Sequence, residues 1–418
     1  MLNNRILIIG LIWPEPEATA AGSRMLQLIH FFIKLGYEIS FASAGTKSDL
    51  SFDFSDLAVS CFDIELNNSS FDVTLKSLDP AMVVFDRFLT EEQYGWRVQQ
   101  TCPEALRILD TEDLHFLRKS REIALKERTD NWMKFVQNNT AKREIASIFR
   151  SDVSLIISQF EYKLLQEEFN IDASLLLYLP FLVDVPENHQ LAELPKFDQR
   201  QHFMTIGNFR HKPNLDAVKY LHSHIWPLIR KELTQAKLEI YGPYAPEMVK
   251  HLHNPKTGFL IKGWIADKKE AFVHSRICLA PLRFGAGQKG KLLDAMLYGT
   301  PSITSTIGAE GMEAATKWNG FIEDQTEAFA SKAIQLYQDK TLWVNAQKKG
   351  YEMLRTNYDK QTYEFQFEKR LKLLRKEIIR HRKSNFIGSM LSHHQHQSTK
   401  FLSKWIETKN LLNDKIIE

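Results

Sequence analysis

Three glycines and two lysines crowd one short stretch of the chain, Pro281-Leu-Arg-Phe-Gly-Ala-Gly-Gln-Lys-Gly-Lys-Leu-Leu-Asp294. An apolar run, Ile277 to Ala280, leads into it, and a helical pattern, Gly290 to Leu297, leads out. Glycines let backbone N–H groups approach an anion closely. A helix start adds partial positive charge, and Lys289 and Lys291 add full charges. This is chemistry for a phosphate. The spacing Gly285-x-x-x-x-Gly290-Lys291 nearly spells a nucleotide-hydrolysing P-loop, but Leu292 stands where Ser or Thr would hold magnesium. The stretch also comes late, after a complete α/β pattern. A phosphate binder of another fold survives. The plain alternative is a strand-to-helix turn with solvated lysines, in which Lys291 and Asp294 pair at i,i+3.

Other residues carry weaker signals. Ala21-Gly22-Ser23 opens a helix behind the first strand, where N–H groups can face an anion; the alternative is an ordinary N-cap at Ser23. His115 follows a strand end and could hydrogen-bond a substrate, the alternative being a structural histidine; Asp110, Glu112 and Asp113 could cluster around a metal but are expected to orient His115 and cap a helix. Glu310, in Gly308-Ala-Glu-Gly311, is either a site residue or a solvated loop carboxylate. For Arg87 and Arg118 surface ion pairing is the default. His393, His394 and His396 have no carboxylate or Cys beside them, so an exposed polar turn is expected rather than a metal site.

The elements that must hold these residues alternate. Ile6 to Ile12 reads as a buried parallel strand, and Trp13-Pro14-Glu15-Pro16-Glu17 as a loop. Met25, Leu28, Ile29, Phe32 and Ile33 make one helical stripe that Gly36 ends. Further strands are expected at Tyr37 to Ala42, Ala81 to Phe85, Arg107 to Leu109, Val153 to Ile157 and Leu175 to Leu182, with a charged helical stretch from Phe116 to Phe149. Asp184 to Arg200 is polar and proline-broken, which marks a linker. The same alternation restarts at His202, with strands at His202 to Ile206, Lys237 to Tyr241, Phe259 to Lys262, Ile277 to Ala280 and Ser302 to Ser305. The expected architecture is α/β: two Rossmann-like doubly wound domains facing a cleft, at 1–190 and 200–375. A helical extension, 376–418, follows, and its Phe401/Trp405 piece could meet a membrane or a partner.

Composition narrows the class. A chain of 418 residues with 44% apolar and 25% charged residues is globular. Its 54 Lys and Arg nearly balance 51 Asp and Glu, so nothing demands nucleic acid. Cys61, Cys102 and Cys278 are widely spaced, which suits a reducing compartment. The apolar N-terminal run is short and followed by Glu15 and Glu17, unlike a signal peptide, and no run spans a bilayer. A cytoplasmic location is expected, with peripheral membrane contact left open.

From Arg5 to Asn357 the sequence resembles glycosyltransferase family 4, of the two-Rossmann-domain GT-B type. The resemblance rests on Phe203-Met-Thr-Ile-Gly-Asn-Phe-Arg-His-Lys-Pro-Asn-Leu-Asp216, Ala236-Lys-Leu-Glu-Ile-Tyr-Gly242, Phe259-Leu-Ile-Lys-Gly-Trp264, Ala280 to Gly311 and Leu109-Asp-Thr-Glu-Asp-Leu-His-Phe-Leu-Arg118. It implies transfer of a sugar from a nucleotide-diphosphate donor, with retention of anomeric configuration and no metal or other cofactor. It also implies that the Phe401/Trp405 piece packs back across the two domains as a final helix. It implies catalytic roles for His115, Arg210, Lys289 and Lys291. Donor-binding roles fall to Gly22, Asn208, Trp264, Gly285, Gly287, Gly290, Asp294 and Glu310. The acceptor, a glycan, lipid-linked saccharide or protein, is not specified. Two departures stand out. Of the family's Glu-x7-Glu pair the second falls at Asp294, and the first at Ala286, which has no carboxylate. The family's Arg and Lys after the first donor-domain strand fall at Asn208 and Pro213, leaving Arg210, Lys212, Lys289 and Lys291 to hold the diphosphate. An epimerase on the same fold and an inactive nucleotide-sugar binder are the alternatives; incubation with nucleotide sugars alone separates an epimerase from a transferase.

Overall fold

The computed structural model describes residues 3–312 and 318–417. Two parallel sheets organise the chain. The first contains β1 (Arg5–Gly10), β2 (Glu38–Ser43), β3 (Val59–Asp63), β4 (Met82–Asp86), β5 (Leu106–Asp110), β6 (Val153–Ile156) and β7 (Leu176–Tyr178), in the order β3-β2-β1-β4-β5-β6-β7. The second contains β8 (Gln201–Ile206), β9 (Leu238–Tyr241), β10 (Phe259–Gly263), β11 (Ser275–Ala280), β12 (Ser302–Thr304) and β13 (Gly320–Ile322), in the order β10-β9-β8-β11-β12-β13. The central strands are apolar on both faces because helices cover both: Ile6, Leu7, Ile8 and Ile9 are all essentially inaccessible. In each sheet the order reverses beside the first strand, at β1/β4 and at β8/β11. Such a reversal opens a crevice at the carboxyl ends of the strands.

Several expectations are corrected. β3 and β13 lack the apolar run that marks the other strands; β3 is an edge strand with exposed Ser60 and Cys61. The 116–149 stretch is two helices, His115–Lys126 and Asn139–Arg150, the second capped by Asn138. His393, His394 and His396 stand on the Phe386–Gln397 helix, not in a turn. Asn385 caps that helix through Gly388 N–H, and Gln395 donates to Glu92 O at 3.1 Å.

The chain returns to the first sheet at its end. Val183 N–H donates to Tyr358 O and Lys360 N–H to Val183 O, at 3.0 and 3.1 Å. From there the Lys360–Ser384 helix buries Phe367, Leu371 and Leu374 against Phe31, Phe32 and Leu179. Phe367 stacks on Phe31 at 4.8 Å between ring centroids. The expected boundary at 375 falls inside this helix. Among the described residues, no helix is long and apolar enough to cross a membrane.

Candidate active site

The glycine-rich stretch lies where its residue types require. It leaves the carboxyl end of β11 and ends at Lys289, the N-cap of the Gly290–Leu297 helix. Gly287 has φ +64°, and a Cβ there would fall 2.8 Å from Asp113 Cβ. A Cβ on Gly290 would fall 2.7 Å from Ala20 Cβ. Glycine at both positions therefore lets the loop close onto the first domain. Ala20 begins the Ala20–Lys34 helix, so two helix N-termini, one per domain, meet here. Both bring partial positive charge to one spot.

Lys291 donates to Asn214 Oδ1 at 2.8 Å, and no carboxylate pairs with it among the described residues. Asp294 takes Lys268 at 3.0 Å instead, so the i,i+3 pair of the plain reading does not form. Lys289 donates to Gly287 O at 2.7 Å. Burial lowers both lysines to about 8; Glu310 partly offsets this at Lys289. Burial also raises the Asp294 carboxyl, against the pull of Lys268. Asn208 accepts from Arg210 N–H at 2.8 Å, and the Arg210 guanidinium lies 3.6 Å from the Tyr244 ring centroid. Tyr244 in turn donates to Glu15 Oε1 of the first domain at 2.9 Å. Lys212 reaches Glu122 across the cleft at 3.2 Å. Trp264, just past β10, is 45% exposed, an open apolar face at the end of its strand.

Some site residues are engaged otherwise than expected. The Ala20–Lys34 helix is capped by Thr19, not Ser23, and Thr19 Oγ1 accepts from Gly22 N–H at 2.9 Å, so that N–H is not free for an anion. Gly22 instead makes room for the backbone of Glu15, which a Cβ would meet at 2.5 Å. Glu310 is held by Arg121 in a two-point pair at 2.7 and 2.6 Å. Arg121 also donates to Gly285 O at 2.9 Å. One buried arginine of the first domain thus ties two loops of the second. Ala286 is buried among the first domain's apolar side chains.

His115 opens its helix with its ring edge-on to Phe88, and its Nε2 lies 3.5 Å from Asp113 Oδ1. Burial lowers the imidazole to about 4, against the pull of Asp113, so it is neutral at pH 7. The helix is not capped by Asp110, Glu112 or Asp113. Glu144 accepts from His115 N–H and Phe116 N–H, at 3.1 and 3.0 Å, and Glu161 from Leu114 N–H at 3.0 Å. The same Glu161 oxygen accepts from Gly287 N–H at 2.8 Å, linking this helix start to the phosphate-type loop. Arg118 pairs with Asp113 and Arg87 with Asp86, both in the cleft wall rather than on open surface. Arg87 and Glu112 hold φ of +68° and +61° just beyond β4 and β5. Strain of that kind in non-glycine residues clusters at functional sites. Glu112 is buried, which raises its carboxyl well above the usual range, with Asp110 adding to the rise.

Sequence reasoning missed Arg24, Arg121, Glu144 and Glu161. Each sits on an amphipathic helix, where a charged residue reads as solvated. No local pattern says which charge faces a second domain. Among the described residues, no group of three or more His, Cys, Asp or Glu is placed to hold a metal ion.

Residues 200–339 match the family model described as Glycosyl transferases group 1. The fold is GT-B, and its second sheet carries the glycosyl transferases group 1 domain. No curated protein matches it in sequence. Among solved structures it is similar to sucrose-phosphate synthase from Thermosynechococcus elongatus, at 14% identity, covering 89% of this chain and 99% of that one, with a TM-score of 0.66. It is also similar to the pneumococcal O-GlcNAc transferase GtfA, solved with UDP and GlcNAc, at 12% identity, 90% and 99% coverage and a TM-score of 0.66. A third is a TarM mutant from S. aureus, at 15% identity and a TM-score of 0.56; the match covers 72% of this chain and 57% of TarM. Identities this low speak for the fold alone.

Proposed function

We propose that the protein transfers a glycosyl group from a nucleotide-diphosphate sugar to an acceptor hydroxyl, with retention of anomeric configuration and without a divalent metal, in the cytoplasm. The acceptor is a glycan, a lipid-linked saccharide or a protein. The observation that carries this reading is Lys291, a cation that no carboxylate pairs with among the described residues, placed beside Lys289 where two helix N-termini meet. In this reading the bond from the anomeric carbon to the diphosphate breaks first. Lys289, Lys291, Arg210 and the helix starts stabilise the leaving diphosphate. The acceptor oxygen bonds to the anomeric carbon on the face the diphosphate leaves, and a diphosphate oxygen takes the acceptor proton. Neutral His115 hydrogen-bonds the sugar. Asn208 and the loop N–H groups of Gly285 and Gly290 line the donor, Gly287, whose own N–H is taken by Glu161, lets the loop close beside it, and Trp264 flanks the base. Glu310 works through Arg121, which fixes its loop beside the donor. A thermal-shift screen against nucleotide sugars tests the reading directly. A true donor at 100 times its Kd adds about 2.7 kcal/mol of stability. A flat response to every nucleotide sugar and nucleoside diphosphate would sink it.

Two further results are expected. Transfer persists in EDTA, because cationic side chains neutralise the diphosphate; complete loss, restored by magnesium or manganese, would refute metal independence. Asp294 reads the donor ribose, since it stands one turn into the helix that starts at the loop. Asp294→Asn then raises KM for the donor and leaves kcat nearly unchanged, because the ribose is bound alike in ground and transition states. The wild type discriminates against a 2′-deoxyribose donor and the variant less so; equal discrimination would detach Asp294 from the ribose.

A further inference from the structure

The last helix, Thr399–Ile417, turns its polar side to the protein and its apolar side to water. Arg97 donates to Ser403 Oγ at 3.5 Å, and Ser69 N–H donates to Glu407 Oε1 at 2.7 Å. Ser403 is buried, whereas Phe401, Leu402, Trp405 and Leu412 are 56%, 57%, 61% and 57% exposed. These four recur at i, i+1, i+4 and i+11, which puts them on one stripe. An amphipathic helix that only packed onto the domain would point that stripe inward. An outward stripe of this size marks a contact surface.

Charge says what the surface meets. Lys400 and Lys409 hold their ammonium groups 5.9 and 5.5 Å from the Phe401 and Trp405 ring centroids, and Lys404 is exposed between them. From Thr399 to Asn413 the single acid is Glu407, which faces the protein. Residues 376–418 hold eight Lys and Arg against four Asp and Glu in a chain of net charge +3, so the chain's positive excess lies in this segment. A separate corner, between the Lys360–Ser384 and Phe386–Gln397 helices, also exposes Ile379 and Phe386, at 66% and 76%. With Lys383 they border a groove of about 490 Å³.

We propose that this face docks the protein on an anionic lipid bilayer. The aromatic and leucine side chains enter the boundary between headgroups and acyl chains, and the lysines meet lipid phosphates. A second copy fits worse, because it would oppose the same lysines.

Vesicle pelleting of the full chain tests this, and needs neither donor nor acceptor, so its outcome is independent of the transferase reading. The wild type pellets with vesicles of phosphatidylcholine and phosphatidylserine, less so at high salt, and far less with phosphatidylcholine alone. Lys404→Glu with Lys409→Glu weakens binding by at least about 25-fold, at roughly fivefold per lysine lost. Phe401→Ser with Trp405→Ser weakens it at least about tenfold. Met248→Ser, an exposed apolar position of the second domain, changes nothing. Circular dichroism confirms that each variant keeps the fold. Failure to pellet with anionic vesicles, equal pelleting with neutral ones, or wild-type binding by the Phe401/Trp405 variant would overturn the proposal. So would a concentration-dependent dimer abolished by that variant without any vesicle binding, which would assign the face to a second copy.

Discussion

Lys291→Ala is expected to lower kcat/KM for transfer by about 100- to 1000-fold, the scale of losing one preorganised group aimed at developing charge. Affinity for a nucleoside diphosphate should fall too, by about 1.5–3 kcal/mol, the value of a hydrogen bond to a charged group. The scaffold should survive, because Asn214 keeps its second bond, to Asn208 O at 2.9 Å. The pH dependence gives an independent check. Burial leaves the free Lys291 ammonium with a pKa of about 8, below its ordinary value. The cation that meets the diphosphate is therefore present below pH 8 and is lost as pH rises through 8. Wild-type affinity should be flat below that point and decline above it, and Lys291→Ala should lose part of that decline. Lys289, with a similar pKa, accounts for the remainder. Calorimetry with a nucleoside diphosphate at several pH values measures both effects. Unchanged affinity in the variant would remove Lys291 from the site.

Arg24→Leu should cost about 3–5 kcal/mol of stability, the penalty for leaving one partner of a buried ion pair uncompensated. Arg24 and Asp110 are 1% and 0% exposed and lie 2.9 Å apart. Arg24 also donates to Leu179 O at 2.8 Å, joining the first helix, the end of β5 and the segment after β7. In the variant Asp110 would remain buried with no cation on it. For a unit of this size, such a loss lowers the melting temperature of the first domain by roughly 6–20 °C. Changing both residues, Arg24→Leu with Asp110→Leu, should recover much of it, because the unpaired charge is then gone. Calorimetry that resolves the two domains measures the shift. A loss below about 1 kcal/mol in the single variant would mean that Asp110 finds another partner or a proton at little cost.

Local patterning sufficed for a good part of this protein. Apolar runs marked eleven of the thirteen described strands, since a strand covered on both faces has no polar side to show. The glycines and lysines between Gly285 and Lys291 marked the phosphate-type loop, because few other settings require both close backbone approach and charge. Edge strands such as β3 escaped, being half solvated and short. The tertiary structure decided what each charge does. Gly287 and Gly290 are read locally as phosphate glycines, yet they also clear Asp113 and Ala20 of the other domain. Arg121 and Glu161 look like ordinary helix-surface charges, but their partners, Glu310 and Gly287, lie 189 and 126 residues away. The reversed final helix shows the same limit. Its sequence fixes the amphipathic stripe, since side-chain direction follows helical periodicity. Which way the stripe faces depends on Arg97 and Ser69, remote residues that hold its polar side, and no local rule reaches that far.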